Sequence, residues 1–437
     1  MNTGADTAAA DTAAADDTAR RGVEAVWRIE AARIIAGLAR ITGDIGLAEE
    51  AAQDALVAAL EQWPRAGVPP NPAGWLVATA KNRAIDAHRR RGVQQRKLEI
   101  LGRDVTDSHD PITAEVDAAL DDHIGDDLLR LVFTACHPVL TMDARVALTL
   151  RCLAGLSTDE IARAFLVPEP TAAQRIVRAK RTLATRGVAF ELPGPEEMAD
   201  RLGSVLEVVY LIFNEGYSAT AGDDWMRPAL CEEALRLGRV LAGLVPDEPE
   251  VHGLVALMEI QASRLPARTG PGGEPVLLAD QDRRRWDRLL VRRGLAALAR
   301  AEELPSPIGP YTLQAGIAAC HARAASIEDT DWRRIAALYE VLGRIWASPV
   351  VELNRAVAVG MSAGPAEGLA IVDALSRSGE LARYPQLPAV RGDLLVKLGR
   401  TEEARMEFQR AADLTRNARE RALFLDRAAS LRTRQPN

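Results

Sequence analysis

Gln174, Arg175, Arg178, Lys180 and Arg181 crowd one short stretch of this chain, with Thr171 just ahead of them. Ala173, Ile176, Val177 and Leu183 interleave with them at helical spacing, so the donors line the outer face of an amphipathic helix. Such a face offers N–H groups to base edges in a major groove and positive charge to the phosphates beside it. It suits an ordinary solvated surface as well. The residues upstream narrow the choice. Ser157 and Glu160 form an S-x-x-E capping box, which starts a helix by satisfying free backbone N–H groups. Ile161, Ala162 and Phe165 give that helix an apolar face. Pro168 stops it, and Pro170 with Thr171 opens the next helix, where proline is tolerated in the first turn. The pattern predicts a helix-turn-helix with a basic second helix.

A second basic element lies upstream. Residues 73–91, AGWLVATAKNRAIDAHRRR, predict a helix ending in three arginines, Arg89 to Arg91, that suit phosphate or a solvated helix end. The loop before it, PRAGVPPNP, is too rich in proline and glycine for regular structure. Before the loop, Ala48 to Trp63 predict a helix with early acidic residues, and Val26, Trp27, Ile29, Ile34, Ile35, Leu38 and Ile41 predict another with one apolar stripe. Trp75 adjoins an apolar face and reads as core more readily than as a base-stacking platform.

The 437 residues are enough for more than one domain, and 48% hydrophobic content is enough for sizeable cores. Abundant alanine and leucine with few β-branched alternations predict an all-α fold. A net charge of -7 excludes a general polyanion binder, so nucleic-acid contact must come from local patches. Cys136, Cys152, Cys231 and Cys320 are widely spaced, which argues against a disulfide framework and a zinc ribbon. Cys136–His137 and Cys320–His321 are neighbours in sequence and point to different helix faces, so neither metal nor other cofactor is expected. No signal peptide and no bilayer-length apolar run is evident, so a cytoplasmic location and no membrane contact are expected.

Residues 1–22 are mostly Ala, Thr and Asp and are expected to be disordered. Residues 23–92 and 127–187 form two helical domains, joined by an acidic linker over 93–126 that holds nine acidic residues and no Lys or Arg between Asp104 and Asp127. Residues 188–437 read as helical hairpins with proline-marked breaks, the longest, PARTGPGGEP, expected to be a mobile loop. Within Leu394–Leu414, Leu398–Gly399 followed by Ala404 and Phe408 matches a tetratricopeptide-like unit, and 332–375 is a looser copy. Asn214, Glu215 and Tyr217 form a polar group, but no second acid, nucleophile or metal cluster accompanies Glu215, so no enzymatic activity is expected.

Two DNA-facing modules joined by an acidic linker resemble the extracytoplasmic-function (ECF) sigma factors of bacterial RNA polymerase. The resemblance covers roughly residues 23–187 and rests on GDIGLAEEAAQDALVAALEQW followed by NPAGWLVATAKNRAIDAHRRR, and on the helix-turn-helix. It implies that Glu49, Glu50, Gln53 and Asp54 face core RNA polymerase. It implies that Asn82, Arg83, Asp86, His88, Arg89 and Arg90 contact the −10 element of promoter DNA, with the Pro64–Pro72 loop capturing an unstacked base. Thr171, Gln174, Arg175, Arg178, Lys180 and Arg181 would then read the −35 element. Many relatives open that helix with Glu-Gly-Thr-Val-Lys-Ser-Arg. Here Ala173 stands at the lysine position, which implies a different promoter preference. LIFNEGYSAT (211–220) and ELNRAVAV (352–359) resemble the subgroup with a tetratricopeptide-like extension that governs activity and meets a protein partner. The competing reading is a stand-alone helix-turn-helix regulator with a repeat-built sensor domain. Such a regulator has no use for a second basic helix behind an acidic one.

Overall fold

The computed structural model describes residues 3–99, 124–220 and 222–432, with side chains for 22–86, 125–220 and 222–431. Among the described residues all regular structure is helical, apart from two isolated bridges. The chain divides into two compact units, Met1–Val208 and Val209–Asn437.

The first unit opens with α1 (Thr3–Thr42), α2 (Ile45–Ala66) and α3 (Pro72–Glu99). Helix α1 starts at Thr3, within the segment expected to be disordered, where alanines carry the highest intrinsic helix propensity. Trp27, Ile34, Ile35 and Leu38 are buried on α1, whereas Ile29, assigned to the same stripe, faces out. Asp44 caps α2 by accepting from Gly46 N (2.7 Å) and Leu47 N (3.2 Å). The buried face of α2 is mostly alanine, which lets α1 and α3 approach closely, and buried Trp63 closes its end. Helices α4 (Ile124–Ala135), α5 (Met142–Cys152), α6 (Thr158–Ala164) and α7 (Glu169–Thr185) complete the unit, α1 packing on α4 and α2 on α7. Helix α8 (Pro195–Tyr217) is anchored there by its first half: Arg201 donates to Phe133 O (3.0 Å) and Ser204 to Cys136 O (2.9 Å). Burial pushes the Cys136 thiol up to about 11, so it stays protonated at neutral pH. Residues 100–123 of the acidic linker lie outside the described residues.

The second unit is a succession of helices: α9 (Pro228–Leu244), α10 (Pro249–Ala262), α11 (Arg288–Glu303), α12 (Pro310–Arg323), α13 (Trp332–Ile345), α14 (Pro349–Ser362), α15 (Pro365–Ser378), α16 (Gln386–Lys397), α17 (Thr401–Leu414) and α18 (Ala418–Arg432). Of the prolines expected to mark breaks, Pro228, Pro310, Pro349 and Pro365 each start the helix that follows the break, as Pro249 does too; at a first position the missing N–H costs nothing and φ is already set. Glu250 accepts from the N–H groups of Gly309, Tyr311 and Thr312 (2.7–3.2 Å), placing an acid at the positive end of α12. Most of these helices pack chiefly on their sequence neighbours, but α12 packs more on α10 than on α11. Ala404 and Phe408 are buried where α17 meets α16. A Cβ on Gly392 would stand 2.8 Å from the Phe408 ring, so only glycine permits this approach.

The loop between α10 and α11 is pinned, not mobile as expected. Thr269 bridges Pro275, Val276 N donates to Arg268 O (2.8 Å), and Asp287 N donates to Ser263 O (2.8 Å), closing its base. Asn417 at the start of α18 donates to Ala219 O (3.1 Å) and Asp224 O (2.8 Å), tying the end of the unit to its beginning. Glu215 pairs with Arg227 and accepts from Thr220 (3.0 Å), a structural use of the polar group seen in the sequence.

His321 of α12 is buried against the Trp332 edge, and burial together with Arg264 and Arg283 depresses its pKa from 6.5 to about 4. The folded state therefore holds a neutral ring while the unfolded chain takes up a proton near pH 6.5. Stability should be full above that value and fall by roughly 2–3 kcal/mol as pH drops towards about 4. Denaturant melts between pH 7 and pH 4 should give His321→Phe a shallower loss than the native chain, and parallel curves would contradict this placement.

Candidate nucleic-acid interface

The helix-turn-helix forms as its caps dictate. Ser157 Oγ accepts from Glu160 N (3.1 Å), and Glu160 accepts from Ser157 N (2.8 Å). Glu160 also accepts from Arg28 of α1 (2.9 Å). Burial opposes its ionisation, but the bonds from Ser157 and Arg28 outweigh this and hold the carboxyl below its usual range. Helix α6 ends at Ala164, ahead of Pro168. Leu166 takes a positive φ of 49° in the turn. Pro168 then precedes α7, with Pro170 in its first turn.

Helix α7 buries Ala172, Ile176, Ala179 and Leu183. Val177, expected on that face, is 58% exposed, because a strict 3.6-residue period turns it outward. Gln174, Arg178 and Arg181 stand exposed on the outside. Thr171 and Arg175 are half-buried, and Arg175 pairs with Asp143 of α5 at 2.8 Å.

Lys180 and Glu49 are placed differently from the sequence expectation. Glu49 is only 3% exposed. One of its oxygens accepts from Arg151 Nε (2.7 Å) and the other from Lys180 Nζ (2.9 Å), which also reaches Glu50 (3.2 Å). Burial opposes the ammonium charge of Lys180, but Glu49 and Glu50 prevail and raise its pKa. Neither Lys180 nor Glu49 lies on an open face, so neither is offered to DNA or polymerase in this arrangement. Further bonds join the same two helix groups. Trp27 Nε1 donates to Gly155 O (3.1 Å), and Arg40 meets buried Asp127 at 2.9 Å. Gly155 takes φ +68°, which a side chain would strain. A cleft of about 300 Å³ opens beside this seam, lined by Trp27, Arg28, Gln53, Leu60, Arg151 and Arg163 among others. Sequence reading missed Arg151. Its signal was a lone cation between buried Leu150 and Cys152.

On α3, Leu76, Ala80 and Ala84 are buried while Asn82, Arg83 and Asp86 are exposed together. His88, Arg89 and Arg90 follow on the same helix, but their side chains lie outside the described residues. Arg83 stands 4.0 Å from Asp54 of α2, an exposed pair of little energetic weight. Asp54 and Glu50 face solvent, and Gln53 is half-buried. The expected loop is shorter than its prolines suggest: α2 includes Pro64 and runs to Ala66, and α3 begins at Pro72. Asn71 caps α3 by accepting from Gly74 N (3.0 Å). Trp75 is half-buried and packs edge-on against buried Trp63 with centroids 5.6 Å apart.

Comparison with known proteins agrees with this geometry. Residues 26–93 match sigma-70 region 2, residues 130–183 match sigma-70 region 4, and residues 201–302 match a family of unknown function, DUF6596. The chain is 46% identical over 389 residues to an uncharacterized protein of Rhizobium meliloti (strain 1021), covering 88% of this chain and 90% of that relative. Among the described residues no helix is long and apolar enough to cross a membrane. Sigma factors direct core RNA polymerase to promoter DNA and are not enzymes in themselves. With a region 2, a region 4 and a long helical C-terminal half, the chain belongs to the ECF sigma factors that carry a C-terminal extension, and its role is promoter-specific transcription initiation.

Proposed function

We propose that α7 reads a −35 element through Gln174, Arg178 and Arg181, with Thr171 and Arg175 beside them. The observation that carries this is their exposure at i, i+4 and i+7 on one face of a helix whose opposite face is core. The outer face of α3 is proposed to engage the −10 element through Asn82, Arg83 and Asp86, continued by His88, Arg89 and Arg90. Glu50 and Asp54, with Gln53 at their edge, are the proposed polymerase contacts on α2. In this reading Lys180 and Glu49 act on each other in the free chain and become available only when α7 leaves α2.

A length argument supports that opening. Elements about 25 base pairs apart span roughly 85 Å of duplex at ~3.4 Å per step. Helices α3 and α7 both pack on α2, whose 22 residues extend only about 33 Å. One closed unit of this size does not reach both elements. The proposed role of the C-terminal half, as a tetratricopeptide-like array with a protein partner in the cytoplasm, is to govern when the sigma regions engage.

Reconstituted transcription tests the central reading. Adding the purified chain to core polymerase should produce initiation at a matching promoter, and unchanged transcription would refute it. Arg178→Ala should weaken duplex promoter binding by about 1–3 kcal/mol if a base contact is lost, read by titration at fixed salt; native affinity would remove α7 as the reader. A chain ending at Val208 keeps the Arg201 and Ser204 anchors of α8. Its promoter output should differ from that of the full chain by severalfold, and equal output would exclude a governing role for the extension.

A further inference from the structure

In the second unit, arginines and aromatic rings gather around the pinned loop between α10 and α11. Arg268 sits 3.5 Å over the Tyr217 ring and 5.2 Å from the Trp225 ring. Arg264 stands 5.8 Å from Tyr217 and 5.6 Å from Trp286. Arg283 also stands 5.0 Å from the Trp286 ring, but its guanidinium donates to the carbonyls of His321 and Ala324. Arg268 is only 5% exposed, whereas Tyr217, Trp225 and Arg264 are half-buried and form a rim.

The partners of these groups are unusual for a folded interior. Among the described residues no carboxylate lies in ion-pair range of Arg264 or Arg268. The groups facing Arg268 are Tyr217, Arg264 and Cys231, and burial with the neighbouring Arg264 disfavours its charge. Arg264 Nε, Arg268 Nη1, Trp225 Nε1 and Trp286 Nε1 are buried donors with no acceptor among the described residues. Elsewhere the same chain matches such groups. Arg227 meets Glu215, two residues before Tyr217, and Arg391 meets both Asp373 (2.8 Å) and Glu407 (2.9 Å). A buried cation without a counter-charge costs several kcal/mol, and ring faces offset only part of that. An excess of donors and positive charge, set among flat apolar faces, is the complement of a flat molecule bearing an oxyanion.

We propose that this cluster is a binding site for a small planar organic anion, its carboxylate or phosphate held by Arg264 and Arg268 and its ring against Tyr217, Trp225 and Trp286. The site belongs to the extension alone and stands whether or not the extension governs promoter use.

The test uses the full-length chain and three probes: salicylate, adenosine monophosphate and inorganic phosphate, each titrated to about 10 mM, where a Kd near ~1 mM is readily seen. Tryptophan fluorescence and the melting midpoint are the readouts. At least one planar anion should quench fluorescence and raise the midpoint, more strongly than inorganic phosphate, and Arg268→Gln and Arg264→Gln should each weaken it by about tenfold or more. Which planar probe wins separates an aromatic carboxylate from a nucleotide. No response to any probe, equal response to bare phosphate, or native affinity in both variants would overturn the proposal. A ligand-free control separates binding from bracing. Arg268→Met should melt no lower than the native chain if the charge is held for a ligand, and a clear drop would make Arg268 a structural strut.

Discussion

Glu49 carries a carboxylate into the interior of the sigma half, where Arg151 and Lys180 each donate to one of its oxygens. Three elements meet there: α2 of region 2, α5 of the region 4 domain and α7, the proposed reading helix. A buried carboxylate tolerates no loss of partners; removing one from such a pair costs about 3–5 kcal/mol. The triad thus holds the two promoter-reading domains in one register while the chain is free, and the Trp27–Gly155 and Arg28–Glu160 bonds extend the same seam. Yet a buried ion pair gains little over what its partners lose in solvation, which is what the proposed exchange of Lys180 and Glu49 onto DNA phosphates and polymerase requires.

The division of labour along α7 follows from this. Gln174, Arg178 and Arg181 point away from the seam, while Lys180 snorkels into it although it belongs to the same basic run. One helix therefore carries both the proposed reader and its restraint. Arg175 is intermediate, half-buried and paired with Asp143.

Much of the fold was legible in the sequence because helices announce themselves by local rules. The Ser157–Glu160 box, most of the apolar periods and most of the prolines act within a few residues, and the structure honours them, with Ile29, Val177 and Pro64 as the exceptions. The two-region organisation was legible for the same reason. What was not legible is what depends on distant residues. Lys180 reads as one more basic side chain until Glu49, 131 positions away, is packed beside it. Glu49 itself reads as a solvated acid. The loop over residues 266–275 looks mobile by composition, but the Thr269–Pro275 bridge, the backbone bonds at its base and the burial of Arg268 against Tyr217 and Trp225 pin it.

The most direct check on this account is the distance between the two sigma regions in the free and the working protein. The described chain has four buried cysteines, so spin labels at Ile29→Cys on α1 and Ala184→Cys at the end of α7, both exposed, report only the added sites. Pulsed spin–spin measurements on the free chain should give one short distance. Core polymerase with a promoter fragment should replace it with one longer by tens of ångströms, as the span of the two elements demands. A short distance that persists in the initiating complex would contradict the account.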